Sequence, residues 1–232
     1  MAAPALAAAA GAHGAPSVFA GGSNAVAVVV LLLEFGMFRQ ALLRDQIRLY
    51  AAQSAAVVVL ALIVAAARHL PELYALAALS AALKVLIVPL LMRRLLRGTP
   101  EEIAGSSALG LASTVLAAIA VGAFGFFAAG SLGIAGGTLP VTALGLALAV
   151  VLVAFLLMIT RRDVVSQAVG FFSLENGVSV GALVVAAQMP LLLEVAFLFD
   201  LLVAVVVFGV LIRVHHGRAE SLSTAGLTRL RG

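Results

Sequence analysis

The chain has 232 residues, of which 64% are hydrophobic and 10% charged, and its mean hydropathy is +1.22. That balance excludes a soluble domain of this size, and long apolar runs broken by Gly and Pro, without period-two alternation, exclude a transmembrane β-barrel; the fold class is all-α, a polytopic membrane protein. The net charge of +4 does not point to nucleic acid, because the basic residues gather at helix ends beside lipid headgroups, and the absence of Cys excludes disulfides, thiol catalysis and Cys-ligated clusters.

The first stretch, Met1 to Gly22, is rich in Ala, Gly and Pro, has no basic n-region, and carries no charge before Glu34. Residues 1–17 read as a flexible N-terminal extension. Seven membrane-length segments follow: Val18 to Phe38, Leu49 to Ala67, Pro71 to Met92, Ala108 to Ala129, Leu139 to Ile159, Val164 to Gln188, and Pro190 to Ile212. They group into an N-terminal four-helix membrane unit, 18–129, and a three-helix unit with a basic tail, 139–232. Arg39, Arg44 and Arg48, then Arg93, Arg94 and Arg97, then Arg161 and Arg162, and finally Arg213, Arg218, Arg229 and Arg231 all fall on one side of a seven-span layout. Arg68 alone falls on the other. The expected orientation has the N-terminus outside and the C-terminus in the cytoplasm. Spans one to three and five to seven also share a layout, with an Arg-Asp turn after the first helix (Arg44-Asp45, Arg162-Asp163) and Pro in the outer turn (Pro71, Pro190); this suggests parallel repeats joined by span four.

Charge inside these spans is the main functional signal. Glu175 lies twelve residues past Asp163, roughly 18 Å along a helix and near mid-bilayer. Asp200 in span seven reaches a similar depth on the neighbouring antiparallel helix, and Lys84 is deep in span three. An ionisable group at that depth costs from about 3 to more than 10 kcal/mol unless it is solvated, paired or protonated. Two carboxylates at matched depth suit groups that share and release protons, and Lys84 could neutralise either one as a structural ion pair. Glu194 sits nearer the outer end of span seven. Glu34 and Gln53 lie near the cytoplasmic ends of spans one and two, with Glu34 expected to snorkel to the interface. Ser173, Gly177 and Gly181, and likewise Ser166 and Gly170, recur every four residues and read as a close helix contact. No nucleotide-binding glycine loop, metal-spaced cluster or nucleophile triad is present; His215 and His216 are adjacent and point to different helix faces.

The part from about 139 to 232 resembles the small three-helix subunit K of complex I and its counterpart in Mrp-type cation antiporters, through Arg161-Arg162, Glu175, Asp200 and the closing Leu227-Thr-Arg-Leu-Arg-Gly232. Over its full length, with Ser166-Gln167, Gly170-Phe171 and Glu175-Asn176-Gly177, the chain resembles hydrogenase-4 component E. Asp200 stands where the subunit K family carries glutamate, Glu194 is a second acid on that helix, and Glu175 lies about one turn deeper than the family's residue. The resemblance implies a non-catalytic membrane-arm subunit of a group 4 [NiFe]-hydrogenase or related complex I-like assembly in a bacterial or archaeal plasma membrane. It implies no cofactor in this chain, and partners that include antiporter-like and complex I H-like membrane subunits and hydrophilic Ni-Fe/Fe-S subunits. Glu175 and Asp200 would be central to a proton or sodium path, with Lys84, Glu194, Glu34 and Gln53 as relays. The alternatives are an Mrp-type or subunit K relative, a stand-alone secondary transporter, and a passive scaffold.

Overall fold

A computed structural model describes residues 18–96, 110–131 and 141–185, together with 198, 202, 205, 206, 209 and 213. In it α1 spans Val18–Arg39, α2 Leu43–Arg68, α3 Pro71–Ser80, a π-helical segment Ala81–Ile87, α4 Val88–Leu96, α5 Leu111–Ser131, α6 Val141–Thr160 and α7 Val164–Val185. No β-strand occurs among the described residues. Among the described residues six helices are long and apolar enough to cross a membrane, with α3, the π segment and α4 forming one of them. The seventh expected span, Pro190 to Ile212, lies outside the described residues but for isolated positions.

Two helical hairpins form the centre. The α1–α2 turn is shorter than the sequence suggests: α2 begins at Leu43 rather than Leu49, so Arg44, Asp45 and Arg48 lie on its first turns, with Arg48 Nη1 paired to Asp45 Oδ1 at 2.7 Å. Helix α2 ends at Arg68, and His69 takes a left-handed conformation (φ 53°) so that its N–H and that of Leu70 both reach the Ala65 carbonyl. Pro71 then opens α3 at a position where its missing N–H is not needed.

The hairpin of α1 and α2 lies beside that of α6 and α7, with α1 on α6 and α2 on α7. Both pairs run parallel. At one end the Thr142 hydroxyl meets Asn24 Oδ1 at 2.9 Å; at the other Arg161 donates to the Phe38 carbonyl at 2.6 Å. Along α2 and α7, Gln46 meets Ser166 and Gln53 meets Ser173. The two Arg-Asp turns singled out in the sequence therefore sit side by side at one end of the bundle.

In lipid, helices associate by close packing of small residues rather than by hydrophobic burial. The contact of α5 with α6 follows that rule. A Cβ on Gly145 would lie 3.0 Å from the Phe126 carbonyl, and one on Gly125 3.1 Å from the Ala149 backbone. Gly170 and Gly177 bring α7 equally close to α6, where added Cβ atoms would meet Met158 at 2.8 Å and Val151 at 2.9 Å. The outward face of α5, with Leu116, Ile119, Phe124 and Phe127, is exposed, as suits a lipid-facing helix.

Candidate functional site

The site is built on α7, whose two faces are used differently. Glycines 170 and 177 face α6, while Ser166, Ser173, Asn176 and Ser179 turn to α2 and the π segment. The four-residue spacing at Ser173 thus conceals a polar seam as well as a packing stripe.

Asp163 starts α7. It is buried, and its Oδ1 accepts the Ser166 N–H at 2.6 Å, the expected N-cap bond at the third helical position. Arg161, half-buried beside it, donates to the Phe38 carbonyl and so occupies an acceptor that the end of α1 leaves open. Burial lowers the pKa of this guanidinium, and the Asp163 carboxylate works in the opposite direction. Gln46 closes the same end, donating to the Met37 and Gln40 carbonyls and accepting from Ser166 Oγ at 2.7 Å.

Next along the seam comes an apolar band. Tyr50 and Phe172 are buried with ring centroids 5.6 Å apart, and Met37, Phe38, Leu43 and Ile47 join the same core.

Beyond that band lie the two buried carboxylates. Glu34 is fully buried, so the snorkelling expected of it does not occur. The reason is the partners waiting inside: Gln53 Nε2 donates to Glu34 Oε2 at 2.8 Å and to the Val30 carbonyl at 3.2 Å, and Ser173 Oγ contacts the same Oε2. Ser173 Oγ also lies 2.8 Å from Gln53 Oε1, which accepts from Asn176 Nδ2 at 3.1 Å; Asn176 Nδ2 reaches Ser54 Oγ at 2.9 Å. Glu34, Gln53, Ser54, Ser173 and Asn176 form one network across α1, α2 and α7.

Glu175 is held differently. It makes an ion pair with Lys84 Nζ, both side chains being buried, and Nζ lies 3.1 Å from Ser179 Oγ one turn further along α7. Lys84 stands in the middle of the π segment, where the Val88 N–H reaches back five residues to the Leu83 carbonyl. Pro89 explains the widening. A proline inside a helix has no N–H to give and crowds the carbonyl four residues earlier, here Val85; the turn ahead of it relaxes by taking in an extra residue.

Of the residues expected from sequence, the structure thus joins Lys84 to Glu175 and Glu34 to Gln53. Glu194 and Asp200 lie outside the described residues, and with them the pairing of Glu175 with Asp200. Ser54, Ser173, Asn176 and Ser179 were not foreseen as site residues. The seven-residue step from Gln46 to Gln53 along α2 was the available signal, since it matches the step from Ser166 to Ser173 on α7. No cluster of metal-ligating His, Asp and Glu occurs among the described residues.

No family model matches the chain, and no solved structure matches it. It is 45% identical over 71 residues to an uncharacterised protein of Mycobacterium tuberculosis, a stretch covering 31% of this chain and 32% of that protein. It is 29% identical over 149 residues to hydrogenase-4 component E of Escherichia coli and of Shigella flexneri, covering 64% of this chain and 69% of theirs. The chain is thus similar, at a distance, to hydrogenase-4 component E, and its described residues hold six helices long and apolar enough to cross a membrane.

Proposed function

We propose that the chain is a non-catalytic membrane-arm subunit of a group 4 [NiFe]-hydrogenase or related complex I-like assembly, and that it supplies ionisable side chains to an ion path coupled to redox chemistry in other subunits. The observation that carries this reading is the Lys84–Glu175 pair, buried inside two apolar spans, with Lys84 on a π turn. Likeness to hydrogenase-4 component E supports the kind of assembly.

A buried ion pair is stable only while both members are charged. A proton arriving at Glu175 removes its negative charge and releases the ammonium of Lys84 to another acceptor; the reverse step restores the pair. Ser179 offers a hydroxyl beside Lys84, and Tyr50 stands between the pair and the Gln46–Ser166 end. Asp200 and Glu194 would continue the path in span seven, and Glu34 and Gln53 would form its second branch. In this reading 18–129 and 139–232 are two membrane units with cytoplasmic basic turns, in a bacterial or archaeal plasma membrane, flanked by antiporter-like and complex I H-like membrane proteins and reached by Ni-Fe/Fe-S subunits.

The test is ion movement driven by turnover in membrane vesicles holding the intact assembly. Glu175→Gln and Lys84→Met should each abolish most of it while redox turnover with an artificial acceptor persists. Unchanged coupling in both variants, in assemblies of normal composition, would leave a passive scaffold as the better account. Co-purification separates the stand-alone transporter: the assembly reading requires redox subunits to travel with this chain.

A further inference from the structure

We infer that Glu34, Gln53, Ser54, Ser173 and Asn176 form a binding site for a small monovalent hard cation, of which Na⁺ is the natural occupant. This rests on the ion-path reading for its purpose, though not for its measurement. The starting point is charge. Glu34 is fully buried in a span, and among the described residues no lysine or arginine pairs with it; its partners are an amide and a hydroxyl. A lone carboxylate in that setting needs a positive charge or a proton.

The surrounding atoms favour a metal ion. Oxygens are what hard cations take as ligands. Glu34 Oε2, Ser173 Oγ and Gln53 Oε1 converge, Gln53 Oε1 being 2.8 Å from Ser173 Oγ, and the Val30 carbonyl lies against the same Gln53 side chain at 3.2 Å. A serine hydroxyl carries a single hydrogen, so it cannot satisfy both oxygens it touches. Two further oxygens, Glu34 Oε1 and Asn176 Oδ1, are buried with no hydrogen-bond partner among the described residues. Buried polar atoms left this way are costly, about 1–3 kcal/mol each. A proton on Glu34 would engage one oxygen and leave Asn176 Oδ1 orphaned. A cation engages several at once: a half-turn of the Asn176 amide brings Oδ1 to the position of Nδ2, 3.1 Å from Gln53 Oε1 and 2.9 Å from Ser54 Oγ.

Valence follows from the same count of charges. One carboxylate among neutral oxygens is balanced by a single positive charge, whereas a divalent ion would leave a net charge in hydrocarbon. The Lys84–Glu175 pair is already neutral and adds nothing to attract a second charge.

The experiment is equilibrium binding of ²²Na⁺ to the full-length chain, purified in nanodiscs at alkaline pH, with unlabelled NaCl as competitor. Saturable binding is expected, lost in Glu34→Gln and weakened about tenfold or more in Ser173→Ala and Asn176→Ala. The lipid-facing Leu116→Ala should bind as the parent does. Absence of saturable binding in the parent, or undiminished binding in Glu34→Gln, overturns the site and leaves Glu34 as a protonated acid. Should Glu34→Gln fail to accumulate, the serine and asparagine variants decide, and unchanged affinity in both overturns it. No turnover is measured, so this failure is distinct from that of the Lys84–Glu175 relay, which is read from coupled ion movement.

Discussion

Glu34 and Glu175 are both carboxylates buried in apolar spans, the first touched by α7 and the second carried on it, yet the protein accommodates them in opposite ways. Glu175 has an ammonium beside it, held there by a helix distorted around Pro89. Glu34 has only neutral amide and hydroxyl groups, supplied by undistorted helices. A fixed counter-charge makes the first location neutral by itself. The second is neutral only with something that comes and goes. Two neighbouring acids are thereby suited to different tasks, a switchable pair and an exchangeable site.

The comparison is broken most severely by removing the lysine. Lys84→Met takes the ammonium away from buried Glu175, and about 3–5 kcal/mol of stability should be lost in unfolding of the purified chain. Lys84→Met/Glu175→Gln should recover a large part; equal losses in the single and double variants would mean that the two residues do not act as a pair. Next in size is Gln53→Leu, which strips Glu34 of its amide donor and Ser173 and Asn176 of a partner. A loss toward the upper end of about 1–3 kcal/mol is expected, and Lys84 should be indifferent to it. Adding the variant to Lys84→Met should give additive losses, and strong coupling would merge the two sites into one. Gly145→Ala, in the apolar seam of α5 and α6, should overpack against Phe126 by about 1–3 kcal/mol without changing Na⁺ binding. The smallest effect belongs to Asp163→Ala, which removes the cap of α7 at about 1 kcal/mol and should alter stability alone.

Much of the scaffold was legible in the sequence, since helices that must bury every backbone group in lipid announce themselves by length and hydropathy. The start of α2 was missed because Arg44, Asp45 and Arg48 look like a loop when charge is taken as the mark of water; in fact they extend a helix beyond the apolar core. Lys84 and Glu175 were evident as charges in oil, while their union depended on azimuth, which a π turn shifts away from regular helical spacing. Glu34 was misjudged because depth along one helix does not reveal what a neighbouring helix presents. Ser173 was taken for packing because a small residue can serve contact and hydrogen bonding on the same face.

Pro89 has one more implication. Pro89 has no amide hydrogen for the Val85 carbonyl, so that regular α bond is not available to compete with the wide turn. The azimuth of Lys84 is therefore written into the covalent chain. Deleting Ala82 would move Lys84 back by one position against the half of the span that precedes it, a change of up to about 100° in azimuth, so a one-residue lesion could swing this ammonium away from Glu175 with every side chain of the seam still encoded.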